Sequence, residues 1–195
     1  MFFNWDRSQE CNKPFVLRTK GTRHDPGHIM SVKRSGRKSV CVWGWMSAEG
    51  AGFLHRINGR LTSQQYIRIL EDSLVPYAWA RFGPTEDNPI PFVQDRSPIH
   101  KSYVVQDWFQ DEGKEFDVMP WPPKGADINA IENVWAEMVR SMNTQHIPNA
   151  DGLWNAVSNI WDQLNQRQTY WQALVNSMSQ RLALIKELNG NWSKY

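Results

Sequence analysis

The stretch IPFVQDRSPIHKSYVVQDWFQDEGKEFDVMPWPPKGADINAIENVW, residues 90–135, changes its hydrophobic pattern four times, and the order of those changes sets the fold. IPFVQ (90–94) is a short apolar run, long enough for a buried strand and too short for a helix. Residues 101–112 place Val104, Val105, Trp108 and Phe109 at helical spacing, whereas EFDVM (115–119) alternates as a strand does. The loop PWPPKGAD admits no regular element, because its prolines lack the donor that helices and ladders use. From Asn129 a helix then carries Ile131, Val134, Trp135 and Met138 on one face. Strand, helix, strand and helix in this order define a right-handed parallel crossover with a further helix against it.

Upstream, SVCVWGWM (39–46) and FLHRI (53–57) are β-branched and aromatic and flank the turn-like AEGAG, which predicts a hairpin. The opening MFFNW predicts a strand fragment, and residues 15–18 form another short apolar patch ahead of a Gly-, Pro- and Lys/Arg-containing loop over 20–38. Between hairpin and crossover a helix starts at Thr62, with Gln65 three residues on as its capping-box partner, and continues through Tyr66, Ile69, Leu70 and Leu74 toward Pro76. Downstream, after a break over 146–149, two helices carry Leu153, Val157, Ile160, Trp161 and Leu164, then Trp171, Leu174, Val175, Met178, Leu182 and Ile185, with Gly190 as terminator. The expected class is α/β: hairpin strands passing into βαβ crossovers in a mixed sheet, flanked by helices on both faces. Residues 1–145 form the main domain, and the helices of 146–195 pack on it.

The 195 residues are 41% hydrophobic and 22% charged, and 11 Trp, 8 Phe and 5 Tyr supply ample core. That composition argues against a disordered chain. No stretch reaches the roughly 18 consecutive apolar residues of a membrane span. The start MFFNWDRSQE has neither a basic n-region nor an apolar h-region, so secretion is not expected. Cys11 and Cys41 make neither a metal-ligand pair nor a disulfide framework. Net charge is +2, but residues 1–60 hold 11 Lys/Arg against 4 Asp/Glu while residues 61–195 hold 11 against 16. A basic first third beside an acidic remainder suits contact with a polyanion at one place and with cations at another. The cluster KRSGRK (33–38) reads as a solvated loop or as a nuclear localisation signal.

Two carboxylates stand where α/β folds place ligands. Asp95 ends the strand over 90–94, and Glu132 lies in the first turn of the helix after the proline-rich loop. Carboxylate oxygens suit hard divalent cations such as Mg²⁺, and two such ions about 3.5–4 Å apart serve phosphodiester chemistry. Plainer roles exist for both: Asp95 as a turn former, and Glu132 as the capping-box partner of Asn129. His100 is placed to orient a carboxylate or contact phosphate, and Asp127 is a further acidic candidate.

The motifs themselves resemble those of the Tc/mariner superfamily of DDE transposases, in the branch whose third acid is glutamate. SVCVWGWMS (39–47) is similar to that family's VxVWGxxS strand. VQDRSPIH (93–100) is similar to QDNAPxH, with Asp95 at the second catalytic aspartate and His100 at the histidine. WPPKGADINAIENVW (121–135) is similar to WPxxSPDLNPIENxW, with Glu132 at the catalytic glutamate. Arg96 and Ser97 replace an asparagine and an alanine, and Ala130 a proline, none of them a ligand. The 36 residues between Asp95 and Glu132 accord with a single crossover between the acids.

The resemblance implies an RNase H-like fold, two Mg²⁺ or Mn²⁺ ions, Asp95 and Glu132 as metal ligands, and a nuclear protein acting on DNA, transposon ends and a TA target, with a homodimer among its forms. It implies cut-and-paste transposition by metal-assisted hydrolysis and strand transfer, with Lys33, Arg34, Arg37 and Lys38 near DNA phosphates. It places the first catalytic aspartate just ahead of Met1, and Asp6 is not assigned that role. A truncated copy or fragment is therefore expected, unable to cut or join DNA by itself. The alternative is an inactive transposase-derived remnant that folds and binds DNA or a partner.

Overall fold

The computed structural model describes residues 1–5, 38–85, 87–111, 113, 115–123, 125–142 and 147–190. Strand β1 (Phe2–Trp5) pairs antiparallel with β2 (Lys38–Trp43), whose other edge pairs antiparallel with β5 (His55–Ile57). The predicted hairpin is thus present, with a two-stranded ribbon, β3 (Met46–Ser47) and β4 (Gly50–Ala51), folded within its connection. Gly50 makes the ribbon turn at φ +139°, and a Cβ there would stand 2.7 Å from the Asn165 side-chain oxygen. That oxygen accepts the Ala51 amide at 2.8 Å.

Helix α1 (Ser63–Ile69) begins as its sequence predicts. The Thr62 hydroxyl accepts the Gln65 amide, and the Gln65 side chain accepts the Thr62 amide at 3.0 Å. The helix does not end near Pro76. It passes through a π-helical turn (Leu70–Leu74), closed by the Val75 amide on the Leu70 carbonyl, into α2 (Val75–Phe82). Pro76 stands in the first positions of α2, directly after the π turn, and Gly83 caps the end in the left-handed conformation.

The crossover follows as β6 (Ile90–Phe92), α3 (Tyr103–Asp111) and β7 (Phe116–Val118), with β6 and β7 parallel. The Ile90 amide donates to the Glu115 carbonyl and the Phe92 carbonyl accepts the Met119 amide, on either side of β7, which lets Pro91, without a donor, occupy the middle of the strand. Among the described residues the ladders form an antiparallel sheet in the order β1-β2-β5, the ribbon, and the parallel pair β6-β7. Helices α4 (Ala130–Met142), α5 (Ala150–Asn165) and α6 (Gln168–Glu187) complete the chain, and the Gly190 amide closes α6 on the Ile185 carbonyl.

Alternation along β2 separates two cores. Val40 and Val42, with Phe3 of β1, join Val134, Trp135 and Met138 of α4 and the inner faces of α5 and α6. Trp43 is directed to the other cluster, with Tyr66 and Leu70 and with Val105, Trp108 and Phe109 of α3. Helices therefore cover both faces, as the sequence predicts. Trp161 of α5 is 2% exposed, stacks on Trp135 with ring centroids 5.4 Å apart, and donates to the Gly52 carbonyl at 2.8 Å.

Candidate active site

Asp95 leaves the carboxyl end of β6 into a turn built around its own side chain. Oδ1 accepts the Ser97 amide at 2.9 Å and is 2.7 Å from His100 Nδ1. A carboxylate is an acceptor only, so Nδ1 carries the hydrogen. The Ser97 carbonyl then accepts the Lys101 amide at 3.1 Å, which winds the turn toward α3. Both readings of Asp95 meet here: Oδ1 accepts both close hydrogen bonds of the turn, with the Ser97 hydroxyl a further, weaker contact of the carboxylate. The His100 hydrogen bond, aided by the Ser97 amide and opposed by burial, brings the Asp95 carboxyl down to about 2.

Tyr66 of α1 packs on this turn from beneath. Its hydroxyl donates to Gln94 Oε1 at 2.7 Å, and its ring lies 4.6 Å from the His100 imidazole. Sequence reasoning placed Tyr66 only on the buried face of a helix. Nothing in its spacing announces a partner 28 residues away.

Glu132 is held by the helix that carries it. Val134, Trp135, Met138 and Met142 bury one face of α4, which leaves Glu132 in the first turn toward the Asp95 loop. The preceding loop is pinned from the far end of the chain, where Arg181 of α6, 2% exposed, donates Nη1 to the Asp127 carbonyl at 3.2 Å. Asp127 is itself buried and does not line the cavities that Asp95 and Glu132 share. The capping box with Asn129 does not form: the Glu132 amide bonds the Asn129 carbonyl, and among the described residues no donor reaches the Glu132 carboxylate. Burial pushes that carboxyl up, and the Asp95 charge adds to the rise against the pull of the Met1 ammonium.

The two acids, 36 residues apart in sequence, meet at one place. Both line a cleft of about 290 Å³ with Arg96, Ser97, Trp121 and Asn129. Both also border a larger cavity of about 840 Å³ between the antiparallel sheet and the β6-β7 pair. His100 lines the larger one. Among the described residues no third His, Cys, Asp or Glu joins them in a cluster of three. Asp6, Lys33, Arg34 and Arg37 lie outside the described residues. Lys38, the described member of that basic cluster, donates its ammonium to the Ile147 carbonyl and ties β2 to the chain ahead of α5.

The environments push the two carboxyls apart, the arrangement expected where two acids share a site. Asp95, lowered from 3.8 to about 2, stabilises the fold when ionised above pH 3.8, and that contribution is lost as pH falls through about 2. Glu132, raised from 4.5, does the reverse: its contribution is full below pH 4.5 and lost as pH rises through its higher folded value. Glu132→Gln should therefore melt at a higher temperature than the parent at pH 7, with the difference shrinking toward pH 4. Melts of both proteins across that range check it, and equal or lower stability at pH 7 contradicts the arrangement.

Asp95, just beyond β6, and Glu132, in the first turn of α4, thus converge at one place in an α/β domain with helices over both faces of its antiparallel sheet. Residues 5–154 match the family described as DDE superfamily endonuclease, and the chain belongs to that superfamily. It is 30% identical over 181 residues to the transposable element Tc1 transposase of Caenorhabditis elegans, covering 93% of this chain and 63% of that protein. Against the Tc3 transposase of the same organism it is 28% identical over 195 residues, covering 99% and 55%. The chain thus spans less than two thirds of the length of these relatives. Among solved structures, the catalytic domain of Mos1 mariner transposase has the same RNase H-like fold. Its TM-score is 0.69 at 12% identity, over 80% of this chain and 77% of that one. The mariner Mos1 paired end complex with Mg gives 0.71 at 15% identity, over 94% and 52%.

Proposed function

We propose that this chain is the catalytic part of a DNA transposase of the cut-and-paste kind, with Asp95 and Glu132 as its cation ligands. The observation that carries the reading is the convergence of these two carboxylates on one cleft. The donor set suits Mg²⁺ or Mn²⁺: only carboxylate oxygens, one of them anionic down to low pH and the other without a hydrogen-bond donor among the described residues. A pair of such ions, when bound, activates the attacking oxygen and stabilises the leaving one in phosphodiester cleavage and joining. Asp95 would offer Oδ2 while Ser97 and His100 keep Oδ1 engaged. Glu132 would offer its carboxylate oxygens from the first turn of α4, which Trp135 and Met138 anchor so that it faces the turn.

The partners proposed are transposon ends and target DNA, in the nucleus. Solved structures of Mos1 include a paired-end complex with the left transposon end, which supports DNA as partner and a homodimer as the working form. The similarity to transposases along the chain supports this reading over that of an inactive remnant. The test is a nicking and strand-transfer assay with Mg²⁺ or Mn²⁺, run on this chain and on the chain carried in its full genomic reading frame. Metal-dependent cleavage should fall roughly 10²–10³-fold in Glu132→Gln, the scale of one lost charge partner at a reacting phosphate. Cleavage indifferent to that change, or none from either form, overturns the proposal.

A further inference from the structure

We propose that Tyr66 is a positioning residue for the Asp95 carboxylate, holding both flanks of its turn from a separate helix. The inference rests on reading Asp95 as a cation ligand. It starts from a tyrosine that is 1% exposed yet makes two different contacts with one short loop. Its hydroxyl donates to Gln94, the residue before Asp95, and its ring packs at 39° on His100, five residues after it. His100 in turn bonds Asp95 Oδ1. Tyr66 thus fixes the chain where it enters the turn and fixes the imidazole that closes it. Behind the ring stands Trp43 at the end of β2, edge-on with centroids 5.9 Å apart, so the support runs back into the antiparallel sheet.

The arrangement matters because a carboxylate rotates easily about its last torsion, whose energy wells are broad. With two donors on Oδ1, rotation is stopped and Oδ2 is the oxygen left to a cation. One donor, the Ser97 amide, is backbone; the other is a side chain whose plane is set by what it packs against. Removing the Tyr66 ring frees that plane. Removing only the hydroxyl leaves the packing and loosens the Gln94 end. Groups that orient ligands in this way typically change metal affinity by about 10–100-fold when lost.

Titration with Mn²⁺ alone, followed by electron paramagnetic resonance, tests this on the parent, Tyr66→Phe, Tyr66→Leu and Leu70→Ala. Leu70 is fully buried in the same core cluster and controls for general loosening. Tyr66→Leu should bind Mn²⁺ about 10-fold more weakly. Tyr66→Phe should lose about 3-fold, the scale of one hydrogen bond, and it decides the matter if Tyr66→Leu does not fold. Leu70→Ala should melt earlier and keep its Mn²⁺ affinity. Without metal, the Ser97 amide proton resonance reports the bond to Asp95. It should move upfield in Tyr66→Leu and stay in Leu70→Ala. Folded Tyr66 variants with parental affinity and an unmoved Ser97 resonance overturn the proposal, as does an equal loss of affinity in Leu70→Ala. If the parent binds no Mn²⁺ that Asp95→Asn removes, the cation reading falls instead, and the Ser97 resonance alone decides whether Tyr66 sets the turn.

Discussion

Asp95→Asn should weaken Mn²⁺ binding by at least about 100-fold, the top of the range seen when residues that merely support a ligand are lost. Asparagine keeps the shape, and its carbonyl oxygen can still accept from Ser97 and His100. What goes is the charge, which the turn holds ionised down to a pH of about 2. Asp151→Asn is the matched control, since it removes an exposed carboxylate at the start of α5 whose partner is Arg56 of β5. A surface pair of that kind contributes little, and Mn²⁺ affinity should not change. Equal affinity in the parent and Asp95→Asn would remove Asp95 from the ligand set.

The second large effect concerns stability. Trp161→Ala should cost about 3–5 kcal/mol, a large share of a typical domain's stability. Three losses combine: the stack on Trp135, the edge contact with Trp171 at 6.1 Å, and the donor to the Gly52 carbonyl. Trp161→Phe retains an aromatic face and should lose far less than alanine. Because Trp161 joins α5 to both α4 and the ribbon, urea unfolding of Trp161→Ala should lower the midpoint for the whole chain in one transition. A separate early transition of residues 146–195 would show the helices to be an independent appendage instead.

The parts legible in the sequence are those written in local pattern. The crossover from β6 to α4 could be read because each element is bounded by a change of period or by prolines. Thr62 and Gln65 announce the start of α1 by a rule that needs four residues. Asp95 and Glu132 stood out only when their surrounding motifs were matched to a family, since capping and turn formation explain isolated acids equally well. What stayed hidden depends on contacts across the chain. Lys38 belonged to a basic cluster until the fold brought the Ile147 carbonyl to its ammonium. Arg181, one of many polar residues on α6, is buried where it donates to the Asp127 carbonyl of the loop before Glu132. The π-helical turn left no mark either, since Leu70–Leu74 reads as ordinary amphipathic helix.

That turn bears on how the chain tolerates insertion and deletion. At about 100° per residue, Tyr66 and Ala78, twelve positions apart, would point roughly 120° away from each other on an unbroken helix. Both are buried in the same cluster, because the π turn absorbs one residue and gives them the angular offset of eleven. A π turn is in effect one residue added to an α-helix without disturbing either end. A lineage of this domain that lacked one residue between Leu70 and Leu74 would keep the same buried face through a plain α-helix. In alignments with such a lineage, a single-residue gap at this place would mark a change of helical winding and not a change of architecture.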